Sequence, residues 1–327
     1  MSLKINWGII GLGGIAHKFA SDLLLVENCS LEAVASRSLE KAEVFSKQYN
    51  SANFYGSYEE LLQNKLVDII YIATPHNSHE RYTILSLNYK KAVLCEKPFA
   101  INRKQVFKMI EASKNNALFL MEAMWTRFNP SIKKIKRIID NGEIGEIKYI
   151  NADFSFKANT SIQRIYDKEL GGGSLLDIGI YPVFLAYLIL GIPNKIQANA
   201  HFYESGADSQ LAMLFNYENA HAILFSSFNA TSKRIAKISG TLGEINIDMP
   251  WNETDSFSIQ LNNEAEEFIS LPTIGRGYSH QIIECNTCLR QHKIESEIWS
   301  HQNSLELITL LDTIRNEINL SYNEDFL

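Results

Sequence analysis

The chain has only four cysteines in 327 residues, Cys29, Cys95, Cys285 and Cys288, too few and too scattered for a disulfide framework. A secreted, disulfide-stapled fold is excluded on that ground, and a reducing, cytoplasmic setting is the expectation. Positive charge is not in excess either: 31 Lys and Arg face 37 Asp and Glu, a formal net charge of −6. Such a chain has no general attraction for nucleic acid or an anionic membrane, so an anion site has to be a local arrangement. Long apolar runs are scarce. Residues 5–26 resemble a signal sequence at first sight, but Gly8, Gly11, Gly13 and Gly14 break an apolar helix, and His17, Lys18 and Asp22 interrupt it. No other segment reads as a bilayer span. Low complexity, internal repeats and a linker are also absent, so the expected partner is a small molecule rather than nucleic acid or a membrane.

What is present is an ordinary globular composition, 46% hydrophobic and 21% charged, at a length that calls for two domains. The first part alternates strand and helix signals. Residues 4–10 form a strand ending in glycines, 15–26 a helix, 31–36 a strand and 38–49 a helix. Ser57-Tyr58-Glu59-Glu60 is a capping box, and the run Val67 to Ala73 is the nearly continuous apolar strand expected when both faces of a parallel sheet are covered. A helix over 79–87, a strand over 92–95, a helix capped by Asn102 and a strand over 117–121 complete a doubly wound parallel sheet. After about residue 122 the pattern changes. Pro130 opens a helix, an apolar helix runs from Gly171 to Leu190, and residues 195–271 read as strand after strand, a largely antiparallel sheet. Helices over 278–291 and 301–319 close the chain. The expectation is α/β: a dinucleotide-binding Rossmann domain over 1–122, and an α+β domain with a large open sheet over 123–327 for substrate binding and oligomerisation.

Gly11-Leu12-Gly13-Gly14-Ile15-Ala16 is a G-x-G-x-x-A turn between a strand and a helix. The first glycine permits the tight turn, the second lets backbone approach a pyrophosphate, and the small last position lets helix and strand pack. A further absence sets the cofactor. Where an NAD enzyme places Asp or Glu at the end of the second strand, this chain has Ala35-Ser36-Arg37-Ser38. No carboxylate repels a 2′-phosphate, and Arg37 with Ser36 offers a guanidinium and a hydroxyl to it. NADP is therefore expected, with NAD also admissible.

Lys97 follows the strand over 92–95, at the sheet edge where open α/β folds bind ligands. Three motifs occur in order: Ala73-Thr74-Pro75-His76-Asn77-Ser78-His79, Glu96-Lys97-Pro98, and Gly171-Gly172-Gly173-Ser174-Leu175-Leu176-Asp177-Ile178-Gly179-Ile180-Tyr181. Together they resemble the Gfo/Idh/MocA oxidoreductases over nearly the whole chain. The run from Met121 to Phe128 and Tyr181 are most similar to the dimeric dihydrodiol dehydrogenase and NADP-dependent D-xylose dehydrogenase branch. The resemblance implies that Thr74, Pro75, His76, His79, Glu96 and Lys97 border the cofactor, with Lys97 near the nicotinamide and the Lys97–Pro98 peptide cis. It implies that Trp125 and Phe154 line the substrate pocket, although each also fits a core aromatic. It implies a homo-oligomer, dimer or tetramer, formed through the C-terminal sheet.

Asp177 and Tyr181, four apart on a helix, are expected to project from one face. A tyrosine needs a neighbouring cation to act as a base near neutral pH, and Lys97 is the candidate, with Asp177 orienting the substrate hydroxyl or the lysine. Cys285 and Cys288, with His280 and His292 nearby, read as one helix, which cannot wrap a tetrahedral ion, so no metal is expected. The sum is an NADP-dependent dehydrogenase moving hydride between the nicotinamide and a ring C–OH of a sugar, polyol or trans-dihydrodiol. The alternative is a non-catalytic NAD(P)-binding regulator or redox sensor of the same fold.

Overall fold

The computed structural model describes residues 4–159 and 162–326. Contacts divide them into two compact units: residues through Phe128 together with Ile274–Leu305, and Asn129–Thr273 together with the residues from Glu306 on.

In the first unit, strands and helices alternate as β1 (Ile5–Ile10), α1 (Gly14–Leu23), β2 (Cys29–Ala35), α2 (Leu39–Tyr49), β3 (Asn53–Tyr55), α3 (Tyr58–Leu62), β4 (Ile69–Ile72), α4 (His79–Asn88), β5 (Ala92–Glu96), α5 (Arg103–Asn116) and β6 (Leu120–Ala123). The strands form one sheet in the order β3-β2-β1-β4-β5-β6, with every neighbouring pair parallel. The order reverses between β1 and β4, the topological switch point where such sheets bind ligands beyond their strand ends. Helix starts follow local chemistry. Ser38, Ser57 and Asn102 each accept a backbone N–H three residues on, capping α2, α3 and α5. The short β3 carries too few apolar residues to show in the sequence pattern.

The second unit begins with α6 (Pro130–Asp140), capped by Asn129, whose side-chain oxygen accepts from Ser131 and Ile132 N–H groups. Then follow β7 (Ile147–Ser155), α7 (Gln163–Tyr166), a π-helical turn (Leu175–Gly179) and α8 (Ile180–Leu190). Strands β8 (Lys195–Phe202), β9 (Asp208–Asn216), β10 (His221–Ser227), β11 (Ala236–Gly240), β12 (Gly243–Ile247), β13 (Ser256–Leu261) and β14 (Glu267–Ser270) complete an eight-stranded sheet, ordered β14-β13-β12-β11-β7-β10-β9-β8. It is antiparallel except for the parallel pair β7–β10. Helix α8 is buried from Ile180 through Tyr187 and packs on β7 and β10, as a helix apolar on all sides must.

Two features depart from the sequence expectation. By length and composition, the helical run Lys168–Leu190 is long and apolar enough to cross a membrane, which the sequence pattern had not suggested; its most apolar stretch is mostly buried inside the protein, where it serves as core. Also, α9 (Ser279–Arg290) returns to the first unit, and α10 (His301–Glu317) starts there and ends in the second. A division of the chain at a single point does not contain this return.

Candidate active site

The glycine turn joins β1 to α1. Gly11 has φ +85°, and a Cβ there would lie 2.7 Å from the Ala73 carbonyl oxygen, so only glycine fits. The Gly11 N–H donates to Ala35 O and the Ala73 N–H to Ile10 O, which ties the ends of β1, β2 and β4 together. Gly13 caps α1 without any side-chain hydrogen bond, and open space surrounds the Cβ positions of Gly13 and Gly14. A ten-residue helix thus presents its N-terminal N–H groups over an open glycine surface, which fits a pyrophosphate. Ala16 is buried where α1 packs, while Ile15 is half-buried. At the end of β2, the Ser36 hydroxyl accepts from Ser38 N–H at 3.3 Å, Ser38 caps α2, and Arg37 is exposed.

Beyond β4, Thr74 and His76 are nearly buried and Pro75 is exposed. His79 is 0% exposed; its Nδ1 lies 2.9 Å from Pro98 O and its Nε2 3.0 Å from Thr74 O. Burial lowers its pKa, and the two carbonyls, which favour ring N–H groups, partly offset that. The imidazole therefore holds the Thr74 and Pro98 loops together from beneath. Glu96 is also turned inward. It accepts a short hydrogen bond from Tyr71 OH and a second from the Lys97 N–H, and Tyr71 stacks on Phe19 at 3.6 Å. Burial, then the Glu96 charge, pushes the Tyr71 phenol well above its ordinary value.

The Lys97–Pro98 peptide is cis, as the resemblance implied. The turn it starts is gripped by a residue to which no role of its own was assigned from the sequence. Glu122, at 3% exposure on β6, accepts from Phe99 N–H at 3.0 Å and from Trp299 Nε1 at 3.1 Å, and it also takes the Ser304 hydroxyl. Burial pushes its carboxyl up to about 7, against the pull of these donors and of the Lys97 charge. Trp125 is buried and stacked on Tyr278 at 4.6 Å. The loop carrying Tyr278 is in turn fixed by Asp22, which accepts from the Arg276 and Tyr278 N–H groups at 3.0 and 2.8 Å.

In the second unit, Asp177 lies within the π-helical turn and Tyr181 in the first turn of α8. The expected α-helical i, i+4 relation is corrected here. The Ile180 N–H reaches back five residues to Leu175 O, so the turn is wider than an α-turn between the two side chains. Asp177 is 8% exposed and paired with Arg164 at 3.1 Å, a partner 13 residues away that no local pattern marks. Tyr181, 6% exposed, has its ring centroid 5.3 Å from that of Phe154 on β7. Phe154 continues into Phe156 and Phe228 as an aromatic wall, and the Arg234 guanidinium sits 5.2 Å over the Phe154 ring. In the loop over 157–169, Thr160 and Ser161 lie outside the described residues.

The predicted residues thus fall into two sets. The glycines, Ser36, Arg37, Thr74, Pro75, His76, His79, Glu96, Lys97 and Trp125 belong to the first unit, and Phe154, Asp177 and Tyr181 to the second.

Residues 5–124 match the model of the GFO/IDH/MocA oxidoreductase family with an NAD-binding Rossmann fold, and residues 132–246 the GFO/IDH/MocA C-terminal domain. The chain is 34% identical to the trans-1,2-dihydrobenzene-1,2-diol dehydrogenase of Mus musculus, covering 99% of both. It is 31% identical to an NADP(+) scyllo-inositol 2-dehydrogenase of Bacillus subtilis, over 98% of this chain and 99% of that one. Its fold is shared with a 3-ketoreductase from Actinomadura kijaniata (24% identity, TM-score 0.88, 96% and 98% of the two chains). An aldose–aldose oxidoreductase from Caulobacter crescentus has the same fold (23% identity, TM-score 0.88, 97% and 98%). The motifs, both sheets and the full-length likeness agree: this chain belongs to the Gfo/Idh/MocA oxidoreductase family.

Proposed function

We propose that this protein is an NADP-dependent dehydrogenase that moves hydride between the nicotinamide and a ring carbinol of a sugar, polyol or trans-dihydrodiol. The observation that carries this reading is the likeness, end to end and at 31–34% identity, to dehydrogenases named for a cyclic diol and a cyclic polyol. Nucleotide binding is assigned to the first unit. The uncapped start of α1 with Gly11, Gly13, Gly14, Ile15 and Ala16 would hold the pyrophosphate, and Arg37 with Ser36 the 2′-phosphate. Thr74, Pro75, His76 and Lys97 would border the nicotinamide end, with His79 and Glu96 supporting them from below.

When bound, the nicotinamide supplies or accepts the hydride. The chain's own groups handle the rest. Tyr181 exchanges the proton of the carbinol oxygen, and Asp177, steadied by Arg164, orients the substrate hydroxyl. Lys97 places positive charge where the oxygen becomes negative. Phe154, with the aromatic wall behind it, and Trp125 present flat apolar surface to a ring. Self-association through the eight-stranded sheet, as a dimer or tetramer, is part of the same proposal. Its outer face leaves Ile223 at 48% exposure, and sedimentation velocity tests it. The four free cysteines fit a cytoplasmic setting.

The test is a screen of NADP+ and NAD+ reduction across pentoses, hexoses, inositols and trans-dihydrodiols, with NADPH binding followed by fluorescence. Lys97→Met is expected to bind NADPH nearly as wild type and to lower turnover by about 100-fold or more. Arg37→Ala is expected to impair NADP use selectively. Equal kcat/KM for NAD and NADP in wild type would overturn the cofactor preference, and turnover retained in Lys97→Met would overturn the mechanism. NADPH binding with no turnover of any substrate would favour a sensor.

A further inference from the structure

A buried carboxylate lies at the root of the turn that carries Asp177. We propose that Asp208 is a positioning residue, which together with Ser226 and Tyr322 sets the register of the π-helical turn presenting Asp177 and Tyr181. The proposal rests on the reading of those two side chains as the groups that orient substrate and move its proton.

Apolar packing alone leaves this register weakly fixed. Residues Leu175 through Tyr187 are buried without interruption, and most of them are apolar, so burial of apolar surface distinguishes neighbouring registers only weakly. A π-turn is moreover the rarer arrangement, so its ends have to be tied. Asp208, at the start of β9 and fully buried, supplies the tie at the N-terminal end. A single oxygen, Oδ2, accepts from the Leu175 N–H at 2.7 Å and from the Ser174 hydroxyl at 2.9 Å. Gly173, at φ +123°, lets the chain pass so close that an ideal Cβ there would lie 2.2 Å from Asp208 Oδ1. One residue earlier, the buried Tyr322 hydroxyl donates to Gly172 O at 2.9 Å.

Ser226, on β10, lies beside both ends of the turn. Its hydroxyl is 3.1 Å from that of Ser174, just before the turn, and 2.9 Å from where a Cβ on Gly179, the last residue of the turn, would stand. Directional contacts from three separate segments therefore converge on Gly172, Ser174 and Leu175, at the N-terminal edge of the turn that places Asp177. A substitution that removes the acceptor at 208 frees the Leu175 N–H to seek another partner, and the turn can then relax by a fraction of a residue. The first unit, which carries the glycine turn, contains none of these groups.

The test compares Asp208→Ala with Asp208→Asn. Asparagine keeps one side-chain oxygen and can make both acceptor contacts, which in the wild type go to a single atom. With the most active substrate from the screen above, Asp208→Ala is expected to lose about 10- to 100-fold in kcat with an unchanged NADPH dissociation constant. Asp208→Asn should recover kcat to within about threefold of wild type. Hydrogen–deuterium exchange of residues 171–181 should rise in the alanine variant and return in the asparagine one. Wild-type kcat and exchange in Asp208→Ala would overturn the proposal, as would an asparagine variant no faster than alanine. If Asp208→Ala fails to fold, Ser174→Ala decides: a kcat lowered severalfold with intact NADPH binding supports the tie, and wild-type kcat removes it. Tyr181→Phe at full speed, or the absence of any substrate, would refute the catalytic reading instead, while the exchange measurements would still decide the role of Asp208.

Discussion

In each unit a buried carboxylate, Glu122 in one and Asp208 in the other, lies beneath a turn that carries a candidate catalytic residue, and the two are tied in different ways. Glu122 collects donors from three stretches of chain: Phe99 next to the cis-proline turn, Trp299, and Ser304 in α10. Asp208 takes donors from two adjacent residues, Ser174 and Leu175. Burial raises both acids above their ordinary values, Glu122 to about 7 and Asp208 to about 6, and in both the donors hold the rise back. Proton affinity thus depends on burial in much the same way at the two places. What differs is the scope of the bond network. Glu122 joins β6, the Lys97 turn and the returning segment into one body, whereas Asp208 holds one end of one turn.

The largest expected effect follows from that scope. Glu122→Ala strands three buried donors and should cost about 3–5 kcal/mol of stability at pH 7, against about 2–4 for Asp208→Ala, which strands two. Urea denaturation measures both. A larger loss for Asp208→Ala would break the comparison, because the number and spread of donors would then not set the cost.

The second effect is in pH dependence. An acid whose pKa is raised in the folded state binds its proton more tightly there, so it favours folding at low pH, and stability falls as pH rises through the interval between the two values. For Glu122 that interval runs from 4.5 to about 7, and for Asp208 from 3.8 to about 6. Each displacement corresponds to about 3 kcal/mol. Glu122→Gln should therefore flatten the decline of Tm over the upper interval, and Asp208→Asn over the lower one. Identical profiles for the two variants would show that the two carboxyls do not titrate separately.

The sequence made one half of this picture legible. A dinucleotide turn is written locally, because glycine conformation and helix start lie within six residues, and Gly11, Gly13 and Gly14 stand in the structure as their spacing required. Both sheets followed from the switch between strand–helix alternation and strand repetition. The supports were not legible. Glu122 meets Trp299 across 177 residues and Ser174 meets Asp208 across 34, and neither pairing leaves a local pattern. The π-turn was hidden for another reason: the run from Leu175 to Leu190 is apolar on every side, so it has no amphipathic phase from which a change of register can be read. Asp177 and Tyr181 were singled out by motif alone, and the π-turn between them could be read only from the backbone.

The smallest effects isolate one hydrogen bond on each side. Trp299→Phe removes the Nε1–H donor to Glu122, and Tyr322→Phe removes the hydroxyl that donates to Gly172 O. Each should cost about 1–2 kcal/mol. The two differ in how the cost varies with pH. A donor favours the carboxylate over the neutral acid, so its loss lifts the Glu122 carboxyl above about 7 and extends the decline of stability to higher pH. Trp299→Phe should then cost more at pH 8, where the lost bond served a charge, than at pH 5, where the acid is neutral. The smaller ring also loses packing contacts, but that loss is the same at both pH values, so the difference between them reports the hydrogen bond alone. In Tyr322→Phe the acceptor is a peptide carbonyl, and burial holds the phenol protonated well above its ordinary range, so the cost should be equal at pH 5 and pH 8. Chemical denaturation of both variants at the two pH values checks this, and a pH-independent cost in Trp299→Phe would mean that Trp299 packs against Glu122 without stabilising its charge.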